Sequence, residues 1–181
     1  RPGEGGRRPR WSEAAAAWFA QQLDGIEGVA ARAYLDQRGL GAHARKAFGI
    51  GFAPDGRNRL APALKEQTAA DLVEAGLLIQ PEGAKEGGGK PYDRFRGRVM
   101  IPIRDARGRA IAFGGRIMSD GEPKYLNSPD TPLFDKGRTL YNLDRAAPAA
   151  RKADRLFVVE GYMDVIGLAS AGVNEAVAPL G

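Results

Sequence analysis

The chain has 181 residues, 43% of them hydrophobic, with 27 Lys and Arg against 22 Asp and Glu for a net charge of +5. That apolar content supports a packed core and excludes wholesale disorder, while the lack of any run of about 18 apolar residues excludes a transmembrane helix. Cysteine is absent and His43 is the only histidine, which excludes disulfides, cysteine-bound zinc and a multi-histidine metal site and fits a reducing cytoplasm.

In chain order, residues 1–10, RPGEGGRRPR, predict a basic flexible linker. Trp11 to Leu23 predicts a helix, with Ser12 able to cap it and Glu13 in its first turn. A second helix is expected over Gly28–Arg38, stopped by Gly39, and a third over Gly41–Phe48. GIGFAPDG, 49–56, reads as turn. Thr68–Ala75 is expected to be helical, since Thr68 and Asp71 stand at capping-box spacing and Gly76 follows.

The character then changes. PEGAKEGGGK, 81–90, is a polar glycine-rich loop. RVMIPI, 98–103, and AIAFGGRIM, 110–118, read as a β-hairpin with Gly108 in the turn. Pro102 has no N–H to give and argues for an edge strand or a bulge. Residues 119–142 are irregular, and a helix is expected over Asp144–Lys152. Leu156–Val159 predicts a short buried strand, Gly161 a tight turn, and the residues to Ala171 a helix with Asp164 in its first turn. NEAVAPLG begins another strand. A sheet of one or two parallel strands leaves open edges, so the expectation is a piece of a longer fold.

Two constellations could carry chemistry. Glu160 stands at the C-terminal end of a strand, where α/β sheets place ligands, and Asp164 follows four residues later. Such a pair can hold Mg²⁺, or Glu160 alone can act as general acid or base; equally, Glu160 can be solvated and Asp164 a favourable first-turn acid. RFRGR puts Arg94, Arg96 and Arg98 at alternate positions, which share one face if the chain is extended. Arg116, Lys124 and Lys136 follow, with Tyr125 and Asn127 beside Lys124. These suit a phosphate backbone and a stacked base, or a solvated edge strand. Phe95, Phe113 and Phe134 read as core, as do Trp11 and Trp18 at i, i+7. His43 reads as a surface or cap residue. Gly114-Gly115 suits a bulge or the close approach of a nucleotide.

Taken together the phrases resemble one family. VVEGYMDVIGLASAGVNEAVAPLG is similar to the opening of the Toprim domain of bacterial replicative DNA primases. YLDQRGL, YDRFRGRVMIPIRD, GRAIAFGGRIM and PKYLNSPDTPLFDKGRTLYNLDRA resemble the polymerase domain of that family in the right order, from about residue 12 to 181. The Toprim phrase alone would also admit topoisomerases or nucleases. The resemblance implies an α+β N-terminal subdomain over 11–152, small helices around a short antiparallel sheet. It is followed over 153–181 by the first βα unit of an α/β Toprim parallel sheet.

The implied activity is synthesis of short RNA primers from NTPs on single-stranded DNA by Mg²⁺- or Mn²⁺-dependent nucleotidyl transfer in the cytoplasm. By the resemblance Glu160 is the catalytic acidic residue or metal neighbour and Asp164 its support. Arg116, Lys124, Tyr125, Asn127 and Lys136 match a basic ridge for template and nucleotide phosphates, and Arg38, Arg94 and Arg96 match template-contacting positions. The further acidic motifs of the family, its zinc module, and the regions that meet the replicative helicase and single-strand binding protein lie outside this sequence. The piece is therefore expected to bind single-stranded DNA and to synthesise nothing alone. The alternative is a single-strand-binding module without chemistry.

Overall fold

The computed structural model describes residues 10–83 and 89–180. The expected linker falls outside it except for Arg10, and so does much of the 81–90 loop. The chain opens with α1 (Arg10–Asp24), which buries Ala15, Phe19 and Leu23 at i, i+4 and i+8. A 3₁₀ turn, Ile26–Gly28, leads into α2 (Val29–Gln37), and α3 follows at Ala42–Phe48. Strand β1 (Gly51–Ala53) comes next, then the short helix α4 (Leu60–Ala63) and α5 (Ala69–Glu74). The α5 cap forms as its spacing predicts: Asp71 N–H donates to Thr68 Oγ1 at 3.1 Å, and Thr68 N–H donates to the Asp71 carboxylate at 3.4 Å.

Strands β2 (Leu78–Ile79) and β3 (Tyr92–Asp93) form a two-stranded ribbon. The predicted hairpin is present as β4 (Arg98–Arg104) and β5 (Ala110–Ile117). With β1 and β6 (Tyr125–Asn127) it makes a four-stranded antiparallel sheet in the order β1-β4-β5-β6. Alternate residues of this sheet enter two apolar layers. Val99, Ile101, Ile103 and Ala112 pack with Leu35, Phe48, Tyr162, Val165 and Ile166. Met100 and Phe113 pack with Ala15, Phe19, Leu72, Leu77 and Phe95, and the Phe19 and Phe113 rings meet edge-on at 5.4 Å. Trp11 and Trp18 pack half-buried against this second layer.

After β6 a 3₁₀ turn, Lys136–Arg138, precedes β7 (Leu140–Tyr141) and α6 (Leu143–Ala153). The C-terminal unit is β8 (Phe157–Val158), α7 (Tyr162–Ser170) and β9 (Ala176–Pro179). Strands β8 and β9 are parallel, and β7 adds to the other side of β9 antiparallel.

Five expectations change. The GIGFAPDG stretch is not all turn, because Gly51–Ala53 pairs with Arg98–Met100. The irregular 119–142 stretch contains β6, β7 and an isolated Thr131–Phe134 bridge. Pro102 lies in a central strand, but beyond the residues that β1 pairs, so its missing N–H breaks no ladder there; the irregularity falls at Ile103/Arg104. Gly114 and Gly115 pair in regular register with no bulge. Leu156–Val158 is exposed rather than buried, Val158 by 66%, and β8 is an edge strand that pairs with β9 on one side.

Candidate nucleic-acid interface

The site is built on the edge of the main sheet. In the β5–β6 register Gly114 opposes Asn127 and Arg116 opposes Tyr125. Positions two apart on a strand point the same way, so all four lie on one face. Tyr162, the first residue of α7, lies on that same face. A Cβ on Gly114 would stand 2.7 Å from Cε1, Cζ and the hydroxyl of Tyr162, so only glycine admits the ring at this position. The Tyr162 ring is edge-on to Tyr125 at 5.2 Å and to Tyr141 at 5.6 Å.

This packing brings the acidic turn to the basic strand. A Cβ on Gly161 would lie 4.0 Å from the Tyr125 hydroxyl and 3.7 Å from Asp164 Oδ2. Glu160 and Asp164 are both exposed, on either side of Gly161. Asp164 sits in the first turn of α7, where a carboxylate also favours the helix dipole.

Arg116 is half-buried, with its guanidinium 4.8 Å from the centre of the Tyr125 ring and Nη1 donating to Ile117 O at 3.1 Å. Asn127 donates from Nδ2 to Leu180 O at 3.2 Å, just past β9. Arg94 Nη2 donates to Asn127 O at 2.8 Å, and burial lowers the Arg94 pKa. Arg98 is buried and donates from Nη1 to Gly115 O at 3.3 Å and Lys124 O at 3.4 Å. Burial lowers its pKa, aided by Arg116 and Arg96 nearby and opposed by Tyr162. Lys124 and Tyr125 are exposed at the outer end of β6.

The predicted RFRGR face does not form. Gly97, at φ 62°, turns the chain before β4, so Arg94 and Arg98 reach back to the β6 backbone while Arg96 stays exposed, 5.5 Å from the Tyr92 ring centre. Arg38 and Lys136 lie on other elements than the strip. Arg38 is exposed at the end of α2, 4.9 Å from the Tyr34 ring centre. Lys136 is half-buried in its 3₁₀ turn, its N–H donating to Asp130 Oδ1 at 2.9 Å. His43 is exposed, and Phe95, Phe113 and Phe134 are core, as expected.

Sequence reasoning missed Tyr162, which joins the two constellations. The signal was an aromatic residue directly after the Glu-Gly turn. Its hydroxyl is buried and its pKa is raised, first by burial and then by Tyr125, with Arg98 and Arg116 opposing. As a metal site the turn offers two exposed carboxylates, a hard-oxygen donor set suited to Mg²⁺ or Mn²⁺ but a partial one. Among the described residues no group of three or more His, Cys, Asp or Glu gathers to complete it.

The comparisons with known proteins agree on one family. The family described as DNA primase catalytic core, N-terminal domain, matches residues 18–147. The DNA primase of Neisseria meningitidis serogroup A is 51% identical over 166 residues, covering 92% of this chain and 27% of the relative. That of Escherichia coli K12 is 46% identical over 166 residues, covering 91% and 28%. The chain thus spans about a quarter of the length of these relatives. A DnaG primase catalytic domain solved bound to single-stranded DNA is 43% identical with a TM-score of 0.85, over 95% of this chain and 53% of that one. A DNA primase domain from Pseudomonas aeruginosa is 48% identical with a TM-score of 0.86, over 95% and 53%. Sequence and fold together therefore place this chain in the DNA primase catalytic core family.

Proposed function

We propose that this chain is the template-binding half of a primase active site, and that its parent makes RNA primers from NTPs on single-stranded DNA. The observation that carries this reading is the packing of Tyr162 against Gly114 and Tyr125, which sets the Gly161 turn between the two carboxylates beside Tyr125, the cross-strand partner of Arg116. An enzyme that joins nucleotides on a template needs cations for phosphates and carboxylates for the reacting centre within one site.

Each residue then has a task. Arg116 offers a guanidinium fork to a phosphate, Lys124 a mobile point charge, and Tyr125 an exposed ring on which a base stacks. Asn127 ties this strip through Nδ2 to Leu180 O, just past β9. Arg94 and Arg98 hold the β5–β6 backbone, and Arg96, Arg38 and Lys136 extend the contact to template further out. Glu160 faces the reacting phosphate as general acid or base or as a metal neighbour, with Asp164 in support. Mg²⁺ or Mn²⁺, when bound here, would neutralise charge that develops on the transferring phosphate. The proposed division is a subdomain over 11–152 and the start of a Toprim domain over 153–181. Zinc, the replicative helicase and single-strand binding protein belong to other parts of the parent, which acts in the cytoplasm at the replication fork.

The test uses the full-length parent. Glu160→Gln is expected to lower primer synthesis by at least a hundredfold, the scale of losing a general acid or base, while single-stranded DNA affinity is retained. Undiminished synthesis would remove Glu160 from the chemistry and leave a binding module. The 181-residue chain alone is expected to make no template-dependent product.

A further inference from the structure

Three polar atoms on the shared face of β5, β6 and α7 are buried and lack a hydrogen-bond partner: Arg116 Nε, the Tyr162 hydroxyl and Asn127 Oδ1. Buried polar atoms in folded proteins are nearly always paired, so three in one place call for an explanation. Their chemistry is complementary. Arg116 Nε–H can only donate, a tyrosine hydroxyl both accepts and donates, and an amide oxygen only accepts. Asn127 opposes Gly114 in the strand register, the Tyr162 hydroxyl lies against Gly114, and Arg116 is two residues further along the same face.

Resting on the reading that Arg116 holds a phosphate of the template or nucleotide, we propose that these atoms form a ligand-closed relay. Arg116 Nε–H donates to the Tyr162 hydroxyl, and Tyr162 donates to Asn127 Oδ1, once the outer guanidinium nitrogens engage that phosphate. Tyr162 is thus a positioning residue for Arg116. Arg116 is half-buried, with Nη1 on Ile117 O, whereas Tyr162 is 3% exposed and its ring is held by Gly114, Tyr125 and Tyr141. Arg98 also acts electrostatically on the hydroxyl, but its Nη1 already serves two backbone carbonyls. Asn127 carries the closure onward, because its Nδ2 is bonded to Leu180 O at the end of β9.

A relay that closes only on binding has a signature that a purely structural tyrosine lacks. Tyr162→Phe keeps the ring and removes a hydroxyl that is unpaired in the free chain. Its thermal midpoint should equal or exceed that of the native chain, while affinity for a fluorescein-labelled single-stranded oligonucleotide falls about three- to tenfold, the scale of one net hydrogen bond. Arg116→Lys keeps the charge and loses the Nε donor, so adding Tyr162→Phe to it should weaken binding no further. Unchanged affinity in Tyr162→Phe, a midpoint that drops together with affinity, or additive losses in the double variant would each overturn the relay. Arg116→Ala separates this from the broader reading. If it weakens binding and Tyr162→Phe does not, only the relay fails; if it has no effect, or the native chain does not bind, the phosphate role of Arg116 fails with it.

Discussion

Tyr162 and Gly114 occupy each other's space: the position a Cβ on Gly114 would take is 2.7 Å from the Tyr162 hydroxyl and two of its ring carbons. The contact joins the sheet that carries the basic strip to the helix that begins after the acidic turn. Gly114 is extended within β5, so its value here is the missing side chain and not its backbone freedom.

Replacing Gly114 with Ala should therefore force the ring or the strand to move. We expect a loss of about 1–3 kcal/mol, the usual cost of overpacking a tight core, read by urea unfolding. Binding of single-stranded DNA should weaken as well, because the displaced ring also contacts Tyr125. A Gly114→Ala chain of native stability would show that the contact is slack.

The α5 cap offers a control away from the site. Thr68→Ala removes the hydroxyl that accepts from Asp71 N–H and should cost about 1 kcal/mol in urea unfolding. Affinity for single-stranded DNA should not change, since α5 packs on the opposite layer of the sheet through Leu72.

Asp93 sets a pH dependence. It is 4% exposed, and its Oδ2 accepts from the N–H groups of Arg59 and Leu60, both at 3.1 Å, while Oδ1 is buried without a partner. Burial raises its pKa above the ordinary 3.8 despite those bonds and nearby Arg59 and Arg96. The folded chain then holds this proton more tightly than the unfolded one. The contribution is fully present below about pH 3.8 and is lost as pH rises through the folded pKa. Native stability minus that of Asp93→Asn should therefore fall as pH rises above about 3.8 in paired urea titrations. A difference that is flat or rises with pH would contradict the buried-carboxylate account.

Much of this fold was legible in the sequence, and the exceptions have physical causes. Most helices declared themselves through periodicity, and α5 through its Thr68–Asp71 cap, whereas the four-residue α4 was not read and α1 starts ahead of Ser12; the β4–β5 hairpin showed in its apolar runs and Gly108. Strand β1 was hidden because Gly51–Ala53 is only three residues long and its flanks read as turn; it is a strand because β4 pairs with it. The exposure of Leu156–Val158 could not be read from an apolar run, since composition does not say what covers a strand. The arginines of RFRGR failed to share a face because Gly97 turns the chain, and a lone glycine there is a weak signal. Candidate site residues were named by type and by resemblance. Their convergence was not legible, because it depends on Tyr162 crossing to Gly114 from a segment 48 positions away in sequence.

The central claim is that the β5–β6 strip binds single-stranded DNA beside, and independently of, the carboxylates. It is tested most directly by fluorescence anisotropy of this chain with a labelled single strand, titrated across salt, for the native protein and for Arg116→Ala, Lys124→Ala and Glu160→Ala. The account predicts binding that falls steeply with salt and a salt slope reduced by about 0.7 in each basic variant, the value for one phosphate contact on a single strand. It also predicts affinity at least as high as native in Glu160→Ala. No binding at low salt, or equal affinity and slope in all four proteins, would contradict it.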